Sequence, residues 1–483
     1  MASVFFNNTL FRPVLFIVGL WCLTLCSFAQ NKRPGKDTAK SVAAPLVVPD
    51  TSKNNLLQPV TVRDSGNGKQ DYLTLRQCID YAMLHQPAVN ISQLNINIAQ
   101  TTNAINLSTA LPQVSASGNL IHYLQQRQGA AIVTAAGTTT GPAVYTFVPG
   151  VAVSQAVFNP SLLYAYKSGS LYVTQARQQS DSTKIFLVSS VSKSFYNLLL
   201  TLEQINVLKE DTAEFGKSFR DAYHQYKGGI VDETDYEQAE ITLNNTKAQL
   251  KQVTENVVPQ YAALKQLMGY PPEKQFNVVF DTLEMMNSIH IDTTEQLQFE
   301  KRIEYQLLNT NKSLQNQLVD YYRYSFLPTV SAFYNYNLSY ESSRLSDLLS
   351  TSYPNSLVGL SFSIPIFTGF NRLNSLHKAR LQSQILDWTQ TNLKSQINVE
   401  YTSALAAYKG NYYNLQILQK NVALSRRVYF VVSLQYRQGI VPYLNVITAE
   451  SNLITSEINY LNALFQVLSN KIDLQKAMGN ISY

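Results

Sequence analysis

Tyr436-Arg-Gln-Gly-Ile-Val-Pro-Tyr-Leu-Asn-Val-Ile-Thr-Ala-Glu450 is the stretch on which the reading of this chain turns. It has a counterpart 210 positions earlier, Tyr226-Lys-Gly-Gly-Ile-Val-Asp-Glu-Thr-Asp-Tyr-Glu-Gln-Ala-Glu240. Tyr226/Tyr436, Gly229/Gly439, Ile230/Ile440, Val231/Val441, Ala239/Ala449 and Glu240/Glu450 match, and Lys227/Arg437 match in charge. In each copy a long run of helical periodicity arrives and another departs. Gly supplies the left-handed conformation that ends the incoming helix. A capping or first-turn residue then opens the next one, Asp232 in the first copy and Pro442 in the second. Each copy reads as the tip of a long helical hairpin.

Working outward, Pro160 to Tyr226 holds no internal proline, and Val188, Val191, Phe195, Leu198, Leu202 and Ile205 step by three and four. A helix of this length is a rod of roughly 100 Å. A helix from about Asp232 to Met268 follows, interrupted by Pro259 and ended at Gly269; residues 273–294 read as a mixed connector. Upstream, 73–111 is helical, opened by Thr74 as cap and broken at Pro87, with Ile79, Ala82/Met83, Val89, Leu94, Ile98 and Ile105 as its apolar positions. At Gln113 the period becomes two. Val114, Ala116, Gly118 and Leu120 alternate with small polar residues. After the loop 129–142, Tyr145, Phe147, Val151, Val153 and Val157 continue the alternation, a β-hairpin. The series then recurs. A helix over 295–326 leads to a hairpin (Tyr334, Tyr336, Leu338, Tyr340; then Val358, Leu360, Phe362, Ile364). A long helix from about Phe370 to Tyr436 follows, with seam positions Ile397, Tyr401, Ala404, Tyr408, Leu415, Leu418 and Val422, and a last helix ends at Gly479. The expected organisation is a segment 1–29, a flexible leader 30–72, and two helix–hairpin–helix repeats, 73–294 and 295–483.

Composition narrows the class. Charged residues are 14% of the 483, against roughly 25% in ordinary soluble proteins. Thirty Tyr accompany abundant Ser, Asn, Gln and Thr, which fits a chain that meets lipid headgroups or lines a wet passage. The net charge of +6 has no basic tract behind it, so nucleic acid is excluded as partner. Residues 1–29 carry Arg12, the apolar run Val14–Leu25 and Ser27-Phe-Ala29, the pattern of a cleaved secretory signal. Cleavage leaves Cys78 as the single cysteine. No run of 18 apolar residues follows the signal, so no transmembrane helix is expected. The His residues (85, 122, 224, 290, 377) are scattered without ligand spacing, so neither enzyme chemistry nor a metal or other cofactor is expected.

Strands of about ten residues with one apolar face have the length and pattern of a membrane barrel. Four strands cannot close one, and open edges in lipid leave backbone groups unsatisfied. The missing strands come from other copies: three chains supply twelve. Tyr334, Tyr336, Tyr340, Leu360 and Phe362 form the expected lipid-facing belt. The competing reading is a secreted or periplasmic coiled-coil scaffold or adhesin.

The two-repeat order, the strand starts Leu111-Pro112 and Leu327-Pro328, and the two tips resemble the TolC-type outer-membrane efflux protein family. The resemblance covers about residues 73–480. It implies an α+β membrane protein, a homotrimeric channel-tunnel with a twelve-stranded β-barrel continued by a long α-helical coiled-coil barrel in the periplasm. It also implies passive exit for substrates of an efflux or secretion system, docked through a periplasmic adaptor to an inner-membrane pump. The docking tips are then Lys227, Gly229, Ile230, Val231, Arg437, Gly439, Ile440 and Val441. In the family, acidic residues and polar links at the second tip narrow the entrance. Here the matching positions are Asn445 and Thr448, and Val441 stands where a basic linking residue can occur. Acidic residues sit instead in the first tip, at Asp232, Glu233 and Asp235, where Asp235 repeated three-fold is the candidate gate ring and helix capping by Asp232 the alternative.

Overall fold

The computed structural model describes residues 71–125, 132–133, 139–140, 144–278, 289 and 296–483, all within the unit Asp64–Tyr483. The expected signal 1–29, the leader to residue 70, most of the loop 129–142 and most of the connector after residue 278 lie outside the described residues. In chain order the elements begin with β1 (Asp71–Leu73), α1 (Leu75–His85), α2 (Pro87–Ser108) and β2 (Gln113–His122). The short strands β3 (Ile132–Val133) and β4 (Thr139–Thr140) precede β5 (Tyr145–Phe158), α3 (Pro160–Lys227), α4 (Glu233–Met268) and β6 (Phe276–Val278). Then come α5 (Ile303–Tyr324), β7 (Thr329–Ser342), β8 (Ser352–Ser363), α6 (Asn371–Arg437) and α7 (Tyr443–Met478).

Local chemistry sets these boundaries. Thr74 caps α1 in a reciprocal box: its side chain accepts from the Gln77 N–H while Gln77 Oε1 accepts from the Thr74 N–H at 2.9 Å. Pro87 then opens α2, where a missing N–H costs nothing. Asn159 caps α3 through the Ser161 N–H, with Pro160 at the first helical position. Pro259 does not interrupt α4, contrary to expectation. The ring leaves the Glu255 carbonyl without its usual donor, but both residues are exposed and water can serve it.

β2, β5, β7 and β8 form one antiparallel sheet in that order, so β5 and β7 join the two hairpins and β2 and β8 are its edges. Register places Val114, Val153, Tyr334 and Val358 in one row, and Ser115, Ala152, Asn335 and Leu357 in the next row on the opposite face. A bulge falls between Ala156 and Phe158, next to the start of α3. At their joined ends the second hairpin's strands run further than their alternation indicated, leaving only 343–351 between them, whereas β8 stops at Ser363, short of the expected Ile364. β1 pairs in parallel with β6, so the last residues of the expected leader are a strand.

The main core joins α1, α2, α4, α6 and α7 around α3. Val191, Phe195, Leu198 and Leu199 pack with Cys78 and Ala82 of α1, Leu264 and Met268 of α4, Tyr408 and Leu415 of α6, and Val467 and Leu468 of α7. One window of α3 is long and apolar enough to cross a membrane, which the sequence reading had excluded. More than half of it is buried, because its apolar residues form this core. A buried Arg302 ties the start of α5 to Glu304, to Glu400 of α6 at 2.8 Å, and to the Ala477 carbonyl of α7. α2 differs from its predicted pattern. It buries Val89, Ser92 and Ile96, with Ser92 bonded to Ser180 of α3, and leaves Leu94, Ile98 and Ile105 exposed. α2 thus turns the face bearing Val89, Ser92 and Ile96 inward, and Leu94, Ile98 and Ile105 form a stripe on the other side.

Candidate functional site

The tips are built by the same backbone bonds. At the end of α3 the Gly229 N–H donates to the Tyr226 carbonyl and the Ile230 N–H to the Gln225 carbonyl, both at 2.9 Å. At the end of α6 Gly439 donates to Tyr436 at 2.8 Å and Ile440 to Gln435 at 2.9 Å. This pair of bonds is the Schellman arrangement, and it requires the left-handed φ of 70° found at both glycines. Asp232 and Pro442 take the N-cap positions of α4 and α7, but the Asp232 carboxylate accepts no capping hydrogen bond. Side-chain capping is therefore not the role of Asp232 here.

The two tips share one apolar core: Phe215 and Ala222 of α3, Ala239 and Leu243 of α4, Tyr429 and Tyr436 of α6, and Tyr443, Val446 and Ala449 of α7. Val231 and Val441 turn toward this core, whereas Ile230 and Ile440 are 71% and 68% exposed. The outward apolar surface is thus made by the isoleucines, with Leu444 beside them at 63%. Lys227 lies over the Tyr223 and Tyr226 rings at 5.4 and 5.6 Å, and Arg437 faces Asp221 of α3 at 3.6 Å. Asp232 and Glu233 are exposed, and Glu233 accepts from the Tyr236 hydroxyl. Asp235 is half-buried; burial, and then the Asp232 charge, raise its pKa above the ordinary carboxyl value. Asn445 and Thr448 share an exposed face of α7, where Thr448 donates to the Leu444 carbonyl.

At the sheet, Tyr334, Tyr336 and Tyr340 share one face with Leu360 and Phe362, which stand opposite Ala332 and Val330. Phe147 and Val151 of β5 extend this face, and the Tyr340 ring stacks on Phe147 at 6.1 Å. Asn335, Asn337, Ser361 and Gly359 occupy the other face. A Cβ at Gly359 would come within 2.7 Å of the Phe333 ring, so the glycine makes room for that ring across the strand.

The two tips differ in the burial of one matched acidic residue. Glu240 and Glu450 occupy matching positions in the two tips, yet Glu240 is exposed and Glu450 is 0% exposed. The spacing of Glu450 and Glu457, one heptad apart among apolar residues of α7, was the available signal.

Among known proteins, the chain is 21% identical over 411 residues to the probable efflux pump outer membrane protein TtgC of Pseudomonas putida, covering 84% of this chain and 82% of that one. It is 20% identical over 349 residues to the outer membrane protein TolC of Vibrio cholerae, covering 69% and 76%. The crystal structure of CusC superposes with a TM-score of 0.71 at 19% identity, over 84% of this chain and 91% of that one. The family model described as outer membrane efflux protein matches residues 78–270 and 306–480, the two helical segments with their hairpins and tips. The chain belongs to the outer membrane efflux protein family, transport proteins of the outer membrane with a helical part in the periplasm.

Proposed function

We propose that three copies of this chain close a twelve-stranded barrel, β8 of one copy pairing with β2 of the next, and that the helices continue it as a tunnel. The observation that carries this reading is the four-stranded sheet with two open edges, continuous with helices of 68 and 67 residues. Unpaired edges in lipid cost several kcal/mol for each unsatisfied group, about the strongest pressure toward closure a sheet can meet. Exposed stripes support the same assembly: Ile91, Leu94, Ile98 and Ile105 on α2, and Leu381, Ile385 and Trp388 on α6. The matches over two stretches of the chain support the internal repeat, with boundaries near 73–294 and 295–483. Tyr334, Tyr336, Tyr340, Leu360 and Phe362 face lipid, and the Asn- and Ser-bearing face lines the lumen.

In this reading the channel is the exit of an efflux system. Ile230 and Ile440, with Lys227 and Arg437, receive a periplasmic adaptor that links it to an inner-membrane pump. Asp235, half-buried in each of three copies, is the candidate acidic ring in place of Asn445 and Thr448. The test is the purified full chain from outer membranes. A heat-sensitive species of three chain masses supports the trimer. A soluble monomeric rod overturns it and leaves the coiled-coil scaffold.

A further inference from the structure

Glu450 is fully buried between α3, α6 and α7, and neither of its carboxyl oxygens has a partner within good hydrogen-bond geometry, although the Ser218 and Tyr443 hydroxyls lie near enough to favour its charge weakly. Asp211 of α3 and Glu457 of α7 are also buried, and each has one oxygen without a hydrogen-bond partner. Arg426 of α6 is the cation at this cluster, and it is committed to Glu457. The remaining charged neighbours are Glu210 and Glu214 of α3, with Arg437 on α6 beyond Tyr429. From α4, Ala239, Leu243 and Thr246 face inward, and Asp235 reaches the cluster only through Tyr436 and Tyr443. Acidic groups therefore outnumber the cations around an unpartnered carboxyl. The described residues contain no grouping of ligands able to hold a metal there.

A buried, unpaired carboxylate costs several kcal/mol, and the usual relief is protonation. Burial, reinforced by the Glu214 and Asp211 charges, pushes the Glu450 carboxyl up to about 7; the Ser218 and Tyr443 hydroxyls oppose it. Burial, then the Glu457 charge, pushes Asp211 up to about 7 as well, against Arg426. Because the packed state holds these protons more tightly than an opened one, its stability is full below the ordinary carboxyl range. It falls as pH rises from there to about 7, and the loss is complete above that.

We propose that Glu450 and Asp211 form a proton-operated latch: neutral, they let α7 pack against α3 and α6 behind the tip, and ionised, they loosen that packing. Glu450 lies seven residues into α7, roughly 10 Å from the turn. Loosening at this depth frees the second tip while the main core stays closed. The consequence for passage rests on the channel reading above; the latch itself does not.

Amide hydrogen exchange on the full-length trimer in detergent tests the latch directly. After correction for intrinsic exchange rates, amides over 443–457 should exchange about tenfold faster at pH 8 than at pH 6, the factor that one carboxyl with a packed-state pKa of about 7 supplies over the single pH unit from 6 to that value. Glu450→Gln should remove most of that difference, and Asp211→Asn part of it. Glu240→Gln at the exposed matching position should change nothing. Equal protection of the wild type at both pH values overturns the latch, as does an unaltered pH response in Glu450→Gln. Bilayer conductance of the same trimers should rise with pH in step. If exchange responds and conductance is present but unchanged, the latch stands and its control of passage is overturned; trimers that conduct at neither pH overturn the channel reading.

Discussion

Two glycines with the same backbone angle illustrate what a single residue contributes. Gly439 and Gly269 both hold left-handed φ, 70° and 67°, which costs a side-chain-bearing residue about 1–2 kcal/mol. A Cβ on Gly439 meets open space, whereas on Gly269 it would lie 2.8 Å from the His85 carbonyl oxygen. Backbone cannot yield as a side chain can. Gly269→Ala should therefore lower the unfolding midpoint in denaturant clearly more than Gly439→Ala; equal losses would mean that strain alone sets the cost. Both glycines were legible as helix ends from their place after a long periodic run. The close approach to His85 was not, because it depends on where α1 packs. The same limit applies to Glu450. Its sequence neighbours are those of a helix start, and only α3 and α6 make its site a buried one.

At the scale of elements, β8 separates two faces with adjacent residues. Leu360→Arg places a charge on the face shared with Tyr334 and Tyr336, at a cost of roughly 2–4 kcal/mol near mid-membrane. Ser361→Arg places it on the Asn-bearing face. The first should reduce the amount recovered in outer membranes, and the second should insert normally and alter conductance; identical behaviour would reject the assignment of faces. On the tips, Ile230→Asp with Ile440→Asp should abolish export while the trimer persists, measured by substrate retention in cells. Period-two alternation made the sheet readable in advance, and the three-four spacing of Val191, Phe195 and Leu198 did the same for α3. It did not reveal which of two apolar stripes a helix buries. In α2 the inward face is the one that carries Ser92 between Val89 and Ile96, where Ser92 bonds to Ser180 of α3.

For the whole molecule the orientation follows from continuity: the turn 343–351 and the helix tips lie at opposite ends of the hairpin strands and long helices. A single cysteine at Ser346 should react with an impermeant reagent in intact cells, and one at Gln438 should not; equal labelling would reject this orientation. The repeated order was legible in the sequence, because turns and caps are local. The parallel pairing of Asp71–Leu73 with Phe276–Val278 was not, since strands so short and so far apart carry no mutual signal. One core in this fold gathers Cys78 and Ala82 from the front of the chain with Leu474 and Met478 from its end. A chain emerging from its front end therefore cannot complete that core until nearly its last residue has arrived. For most of its emergence the apolar stripe of α3 stays uncovered and available to other nascent strands. A chain cut short before α7 should aggregate in transit rather than yield a half-built protein.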